Sequence, residues 1–99
     1  MGKIYYISSD GSRRVEDADA LPDNTSVESF IAGDRECVWV LFKERRTCMF
    51  VNENGIALGL PINSTATEIY RDWPLRQGMD VSDRHIHGNV IVFEDIAIN

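Results

Sequence analysis

Short apolar runs alternate with polar turn residues along most of the chain, which is the pattern of strands joined by tight turns. Ile4–Ile7 and Arg13–Glu16 flank an Asp10-Gly11 pair. Asp-Gly between extended runs is typical of a type I′ turn, whose two central residues need positive φ. Glu36–Phe42 and Thr47–Asn52 form another such pair of runs. The pattern therefore predicts two β-hairpins.

Two more strands are predicted in the second half of the chain. Asn54-Gly55 precedes the apolar run Ile56–Leu60, and this dipeptide again favours a type I′ turn into a strand. Pro61 confines that strand to a sheet edge or a strand end, because proline cannot donate a ladder hydrogen bond. Residues 75–89 have no periodicity and are predicted to be a loop. Val90–Phe93 is the predicted last strand.

Capping signals predict two short helices. Thr25–Glu28 and Thr65–Glu68 both have the capping-box spacing, in which a threonine is followed three residues later by a glutamate. In the first helix an apolar stripe begins at Val27 and ends before Gly33. Pro74 is expected to stop the second helix.

Together these elements predict a single domain over residues 1–99, of the α+β class. We expect a mainly antiparallel sheet of five or six strands with two short helices, in the order ββαβββαβ and with a β-grasp-like N-terminal part. The 43% apolar and 26% charged residues are typical of a globular protein. A chain of this length hides only about two-thirds of its unfolded surface, so a spare apolar face is significant.

The second hairpin is apolar on both faces, whereas a half-exposed antiparallel hairpin alternates apolar with polar residues. Either the helices cover both faces, or one face is an interface. We expect oligomerisation or partner burial, because a contiguous exposed apolar patch usually marks interaction. The predicted interface consists of Val38, Trp39, Val40, Met49 and Val51, and a homo-oligomer is the expected state.

Charge and hydropathy narrow the range of partners. The chain has 16 acidic and 10 basic residues, a net charge of −6, which argues against nonspecific binding to nucleic acid or to anionic membranes. The longest apolar run, Val38–Phe42, is far shorter than the roughly 20 residues of a membrane-spanning helix. The start of the chain lacks the apolar core of a secretory signal. We therefore expect a cytoplasmic protein and no cofactor.

Two cysteines, Cys37 and Cys48, fall on the two strands of the second hairpin. If Glu44-Arg45 is the centre of the turn, Cys48 faces Leu41 and Cys37 faces Asn52. That offset places the two cysteines ~13 Å apart, beyond the reach of a disulfide. We therefore expect two free thiols.

Polar residues around the start of the second helix suggest a site for an anionic, nucleotide-like ligand. The first backbone N–H groups of a helix have no partner within the helix and favour negative charge. The alternative is simple helix capping, which Thr65 alone explains. The predicted ligand-binding residues are Asn63, Thr65, Thr67, Tyr70, Arg71 and Arg84.

A weaker pattern for chemistry lies in the following loop. Asp80, Asp83, His85 and His87 are metal-ligand types, and His-x-His places two imidazoles on the same side of an extended chain. This pattern supports the alternative function of a small metal-dependent hydrolase. We expect no enzyme, because no Gly-x-Ser-x-Gly elbow and no phosphate-binding loop occurs in the sequence.

The second half of the chain resembles a known family. The similar segments are Val51-Asn52-Glu53-Asn54-Gly55, Leu58-Gly59-Leu60-Pro61-Ile62-Asn63, Thr65-Ala66-Thr67 and the later Ile86-x-Gly88-Asn89-Val90-Ile91-Val92. They are similar to small proteins of bacteriophages, plasmids and other mobile elements, a family without an assigned activity. The resemblance covers about Cys48 to Phe93, and the segment Arg71–Arg84 is longer than is typical of the family.

The resemblance implies a phage or mobile-element accessory protein that acts in the host bacterial cytoplasm. Combined with the absence of a catalytic signature, it leads to the hypothesis of a nonenzymatic protein that binds and neutralises a host component, as an antagonist of host defence. It does so either by masking a host protein or by sequestering a nucleotide signal.

Overall fold

Five strands and two helices form in the order ββαββαβ in the computed structural model, which describes residues 1–97. They are β1 (Gly2–Ile7), β2 (Arg13–Ala18), α1 (Asn24–Ile31), β3 (Arg35–Phe42), β4 (Arg45–Asn52), α2 (Ser64–Arg76) and β5 (Val90–Glu94). All strand pairs are antiparallel, in the sheet order β2-β1-β5-β4-β3. The predicted α+β class, with its antiparallel five-stranded sheet and two helices, is confirmed.

The last strand of the chain is the middle strand of the sheet. β5 pairs with β1 on one side and β4 on the other, and Val90–Phe93 are almost completely buried. Its side chains alternate between the two faces, as in any strand. Ile91 and Phe93 pack under α1, whereas Val90 and Val92 pack under α2. The two helices therefore cover opposite faces of one sheet.

This arrangement corrects the predicted interface. Val40, Met49 and Val51 are buried beneath α2, and Val38 is half-buried at the same face. The hairpin is apolar on both faces because a helix packs on each face, so these residues are core. Trp39 differs, since 54% of its surface is exposed on the face that carries α1.

The predicted strand Ile56–Leu60 is a series of turns. The side-chain oxygen of Asn52 accepts a hydrogen bond from the N–H of Asn54 at 2.7 Å, which bends the chain as it leaves β4. Gly55 has no positive φ, so the type I′ turn does not form. A Cβ at Gly55 would lie 2.8 Å from the carbonyl oxygen of His87, so the glycine permits close packing of these two segments.

Both helices begin earlier than the capping boxes predict. Asp23 caps α1 by accepting from the N–H of Ser26, and Asn63 caps α2 by accepting from the N–H of Ala66. Pro74 lies inside α2 rather than at its end. It is buried, and the packing of α2 on β3 retains the last turn despite the missing proline N–H.

The β3–β4 hairpin differs from the predicted register and brings the cysteines together. Its turn is Lys43-Glu44, both at positive φ, so Cys37 faces Phe50 and Cys48 faces Trp39. The cysteines are then two positions apart instead of four. Their Cα atoms are 5.7 Å apart and a disulfide joins them, so the prediction of free thiols is wrong.

One buried amide joins three parts of the fold. The Nδ2 atom of Asn63 donates to the carbonyl oxygen of Ile7 at 3.1 Å and to that of Gly88 at 3.0 Å. Its Oδ1 atom accepts from the N–H of Ala66 at 3.0 Å. Asn63 thereby connects the end of β1, the approach to β5 and the start of α2.

We expect Asn63→Ala to lower the free energy of unfolding by about 2–4 kcal/mol, because it removes a helix cap and the donor to two buried carbonyl groups. Urea denaturation measures the loss. Asn54→Ala is the control, since Asn54 is exposed and its substitution should change stability by less than about 0.5 kcal/mol. Equal stability of the two variants would contradict the role of Asn63.

We expect thiol titration of the denatured, unreduced protein to detect no free thiol. Reduction, or the Cys37→Ser substitution, should lower the free energy of unfolding by about 2–3 kcal/mol, since the crosslink closes a short loop in the unfolded chain. Detection of two thiols per chain would show that the hairpin carries the cysteines unpaired.

Candidate functional site

The residues at the start of α2 have structural partners. Asn63 and Thr67 are buried, and their side chains are hydrogen-bonded inside the fold rather than directed outward. The Oγ1 atom of Thr67 accepts from the N–H of Ile86 at 3.0 Å. Thr65 is half-exposed beside them. The capping alternative therefore accounts for this helix start, with Asn63 as the cap in place of Thr65.

The remaining predicted ligand residues are near one another but do not form an anion site with the helix start. Arg71 donates through Nε to the carbonyl oxygen of Arg84 at 2.8 Å, and its Nη2 lies 3.2 Å from Nδ1 of His85. Arg71 thus braces the loop that follows α2. Tyr70 lies one residue earlier and lines a separate cavity.

The four predicted metal ligands are dispersed. Asp80 accepts from the N–H of Ser82 at 3.0 Å, which holds the pKa of its carboxyl below the ordinary value. Nδ1 of His87 lies 2.9 Å from the carbonyl oxygen of Leu60 and must donate to it. Within residues 1–97 no group of three His, Cys, Asp or Glu side chains is arranged to hold a metal ion.

A cavity of about 450 Å³ lies between the middle of α2, the first half of β3, the end of β4 with the turns that follow it, and the loop before β5. We call it the histidine cavity. It is lined by Glu36, Val38, Val51, Asn52, Glu53, Asn54, Gly55, Ile56, Ala57, Tyr70, His85, Ile86 and His87. No Ser, Thr or Cys is among these lining residues, and Tyr70 supplies the one side-chain hydroxyl among them.

A second concave surface of about 420 Å³, the tryptophan groove, runs over β3. It is lined by Trp39, Val40, Leu41, Arg46 and Trp73. Successive side chains of a strand point to opposite faces, so a groove lined by three consecutive β3 residues wraps around the edge of the sheet. Trp39 and Trp73 are each 54% exposed, although both are large and apolar. The guanidinium of Arg46 stacks on the Trp39 ring, 4.9 Å from its centroid.

An exposed ion-pair network lies next to Trp73, between the end of α2 and the β3–β4 turn. Arg76, one turn after Trp73, contacts both carboxylate oxygens of Glu44 at 2.9 and 3.1 Å, and it also pairs with Asp72 at 3.2 Å. The hydrogen bond from Arg76 and its charge lower the pKa of the Glu44 carboxyl. This network fastens the end of α2 to the β3–β4 turn.

The sequence identified two members of the groove. Trp39 and Val40 were both predicted as interface residues, but Leu41, Arg46 and Trp73 were not assigned to the same surface. Arg46 reaches Trp39 only through the β3–β4 register, which pairs Arg46 with Leu41. Trp73 shares a helical face with Ile69 and Tyr70, and that pattern alone predicts burial.

Comparison with protein-family models, with curated proteins and with solved structures finds no match to this chain. Within residues 1–97, no helix has the length and apolar character needed to cross a membrane.

We expect acid to release Trp73. Because the folded-state pKa of Glu44 is lowered from its ordinary 4.5, the contact with Arg76 is present above pH 4.5 and is lost as the pH falls through the lowered value. In a Trp39→Phe protein, which retains Trp73 as its single tryptophan, emission should be constant from neutral pH to about 4.5 and change below it.

The same protein with Glu44→Gln is the control. It should show the altered emission already at neutral pH and no further change on acidification. An identical acid transition in both proteins would place the titrating group elsewhere.

Proposed function

We propose that this protein is a nonenzymatic accessory protein that binds and masks a host protein through the tryptophan groove. The observation that supports this most strongly is the pair of half-exposed tryptophans, Trp39 and Trp73, beside Arg46 in one concave surface. Tryptophan and arginine are the residue types most enriched among the few side chains that dominate binding energy at protein interfaces.

The packing of the core does not explain why the rings of Trp39 and Trp73 are exposed. Trp39 lies on a face where its neighbours Cys48 and Phe50 are buried under α1, yet Trp39 itself extends beyond that helix. The groove floor at Val40 is buried. A partner segment that crosses this edge would therefore contact one large aromatic ring on each face of the sheet, and such rings are typical anchors of protein interfaces.

Masking a protein is favoured over sequestering a nucleotide signal. Sequestration requires outward donors at the start of α2, and the side chains of Asn63 and Thr67 are hydrogen-bonded internally. Arg71 donates through Nε to the carbonyl oxygen of Arg84 and through Nη2 to that of Ser82. The alternative of a metal-dependent hydrolase lacks support, because its four candidate ligands do not converge within the described residues.

The biological setting is part of the proposal. The phage or mobile-element origin, the host bacterial cytoplasm and the role against host defence rest on the resemblance of the segment from about Cys48 to Phe93 to mobile-element proteins. Self-association is the competing use of the groove, and it remains a prediction.

We expect wild-type protein to capture a specific host protein from a bacterial lysate, and Trp39→Ser and Trp73→Ser each to reduce its capture at least about tenfold, since truncation of an interface anchor costs about 2 kcal/mol or more. Native mass spectrometry of the purified complex gives the partner and the stoichiometry.

Leu58→Ser is the matched control, because Leu58 is an exposed apolar residue in the turn region away from the groove. It should capture the partner as the wild type does. Capture that survives both tryptophan substitutions would exclude the groove, and a complex that contains only copies of this chain would replace masking with self-association.

A further inference from the structure

We propose that the partner binds as an added strand on the free edge of β3, and that this strand carries acidic side chains on its Trp39-facing side. This inference rests on the proposed function and specifies its partner: an extended apolar segment with carboxylates that face Arg35 and Arg46.

The first support is the edge itself. Among residues 1–97, β3 is an edge strand that pairs only with β4. The backbone N–H and C=O groups of every second β3 residue therefore point away from the sheet. Such a row of groups is a template for strand addition, in which main-chain hydrogen bonds provide affinity and alternate side-chain contacts provide specificity.

The two edge strands of the sheet, β2 and β3, differ in how many charged residues they carry. Four of the six residues of β2 (Arg13–Ala18), the opposite edge, are charged. Charged side chains are a common means of preventing edge-to-edge pairing. β3 has no charged residue from Cys37 to Phe42. The protected edge is β2, and the edge that is chemically open to another strand is β3.

The tryptophan groove lies where an added strand would place its side chains. One set of alternate side chains would contact Trp39 and Leu41, on the face that carries α1. The other set would contact Val40 and Trp73, on the face that carries α2. The two tryptophans would therefore hold the added strand from both faces.

Charge identifies the partner chemistry on the Trp39 side. Arg35 stacks on the Phe50 ring, with its guanidinium 4.8 Å from the centroid, and Arg46 stacks on Trp39. Arg35 also donates to the side chain of Asn24. Among residues 1–97, neither guanidinium lies within ion-pair distance of a carboxylate. Two stacked cations beside apolar rings favour a strand that supplies carboxylates.

A second copy of this chain fits this side less well. Two antiparallel copies of β3 are related by a two-fold axis perpendicular to the sheet, so the Trp39 side of one copy meets the Trp39 side of the other. The β3 and β4 residues on that side are Arg35, Cys37, Trp39, Leu41, Arg46, Cys48, Phe50 and Asn52, none of them acidic. Pairing of two copies would therefore bring Arg35 and Arg46 of one copy close to the same two cations of the other.

The test uses the intact protein and two probe peptides of the length of β3. Both have the same alternating valine and threonine sequence; one carries two glutamates on one face and the other carries two lysines at the same positions. By calorimetry at low salt, the glutamate peptide should bind about tenfold tighter, since two partly exposed ion pairs contribute about 0.5–1 kcal/mol each. Added salt should reduce the ratio.

Three variants and one modified peptide locate the contact. Arg35→Gln and Arg46→Gln should each bring the affinity ratio closer to one, whereas Arg13→Gln, on the opposite edge, should leave it unchanged. A glutamate peptide N-methylated at alternate residues should lose binding, because it cannot form main-chain hydrogen bonds with the edge. Bound peptide should also slow the exchange of β3 amide hydrogens.

Each other outcome overturns part of the inference. Equal affinity for the two peptides excludes the acidic partner, and binding that survives N-methylation excludes strand addition. If neither peptide binds while both tryptophan substitutions still abolish partner capture, the proposed function stands and this inference falls. If light scattering finds a dimer whose β3 amides are protected without peptide, the occupant is a second copy and the inference is overturned.

Discussion

The fold depends on satisfying buried backbone groups where segments meet, and asparagine side chains do this at three points. Asn63 joins β1, α2 and the segment before β5. Asn52 donates to the carbonyl oxygens of Ile31 and Ala32 at the end of α1. Asn89 donates to Phe30 and accepts from the N–H of Ser9. An unpaired buried carbonyl is costly, so each amide secures an irregular junction that no strand ladder reaches.

Those asparagines lie within three segments of the chain, residues 51–55, 58–63 and 86–92, and the structure gives these segments architectural roles. Gly88 adopts positive φ and packs closely against Leu60. This contact also stabilises the junction near Asn63. These segments therefore determine how the sheet and α2 are joined. The tryptophan groove is built largely from residues outside those segments, namely β3, the start of β4 and the end of α2.

Placing the last strand in the middle of the sheet determines which surfaces remain open. β5 needs cover on both faces, and one short helix on each face supplies it. α1 has only eight residues and packs through Val27 and Ile31, so it leaves Trp39 uncovered at the β3 edge. α2 is longer and extends along the other face of β3, which brings Trp73 to the same edge. The groove is a consequence of helix length and strand order.

Local patterns determined most elements of this protein. Alternating runs and turn dipeptides located the strands, and capping signals located both helices, because these features depend on residues close in the chain. Side-chain partners distant in sequence decided the rest. Asn52 and the Gly55–His87 contact turned the predicted fifth strand into a loop, since local turn preference is weaker than buried hydrogen bonding and packing.

The candidate site shows the same division. The sequence by itself determined that the β3–β4 hairpin is apolar on both faces and that Trp39 is an interface candidate. In the structure the turn of this hairpin lies one residue earlier than the sequence predicts, so the strand register is shifted by two positions. That register brings Cys37 within reach of Cys48 and places Arg46 beside Trp39. Only the tertiary structure decided which apolar face is core and which is open, because burial depends on where distant helices pack.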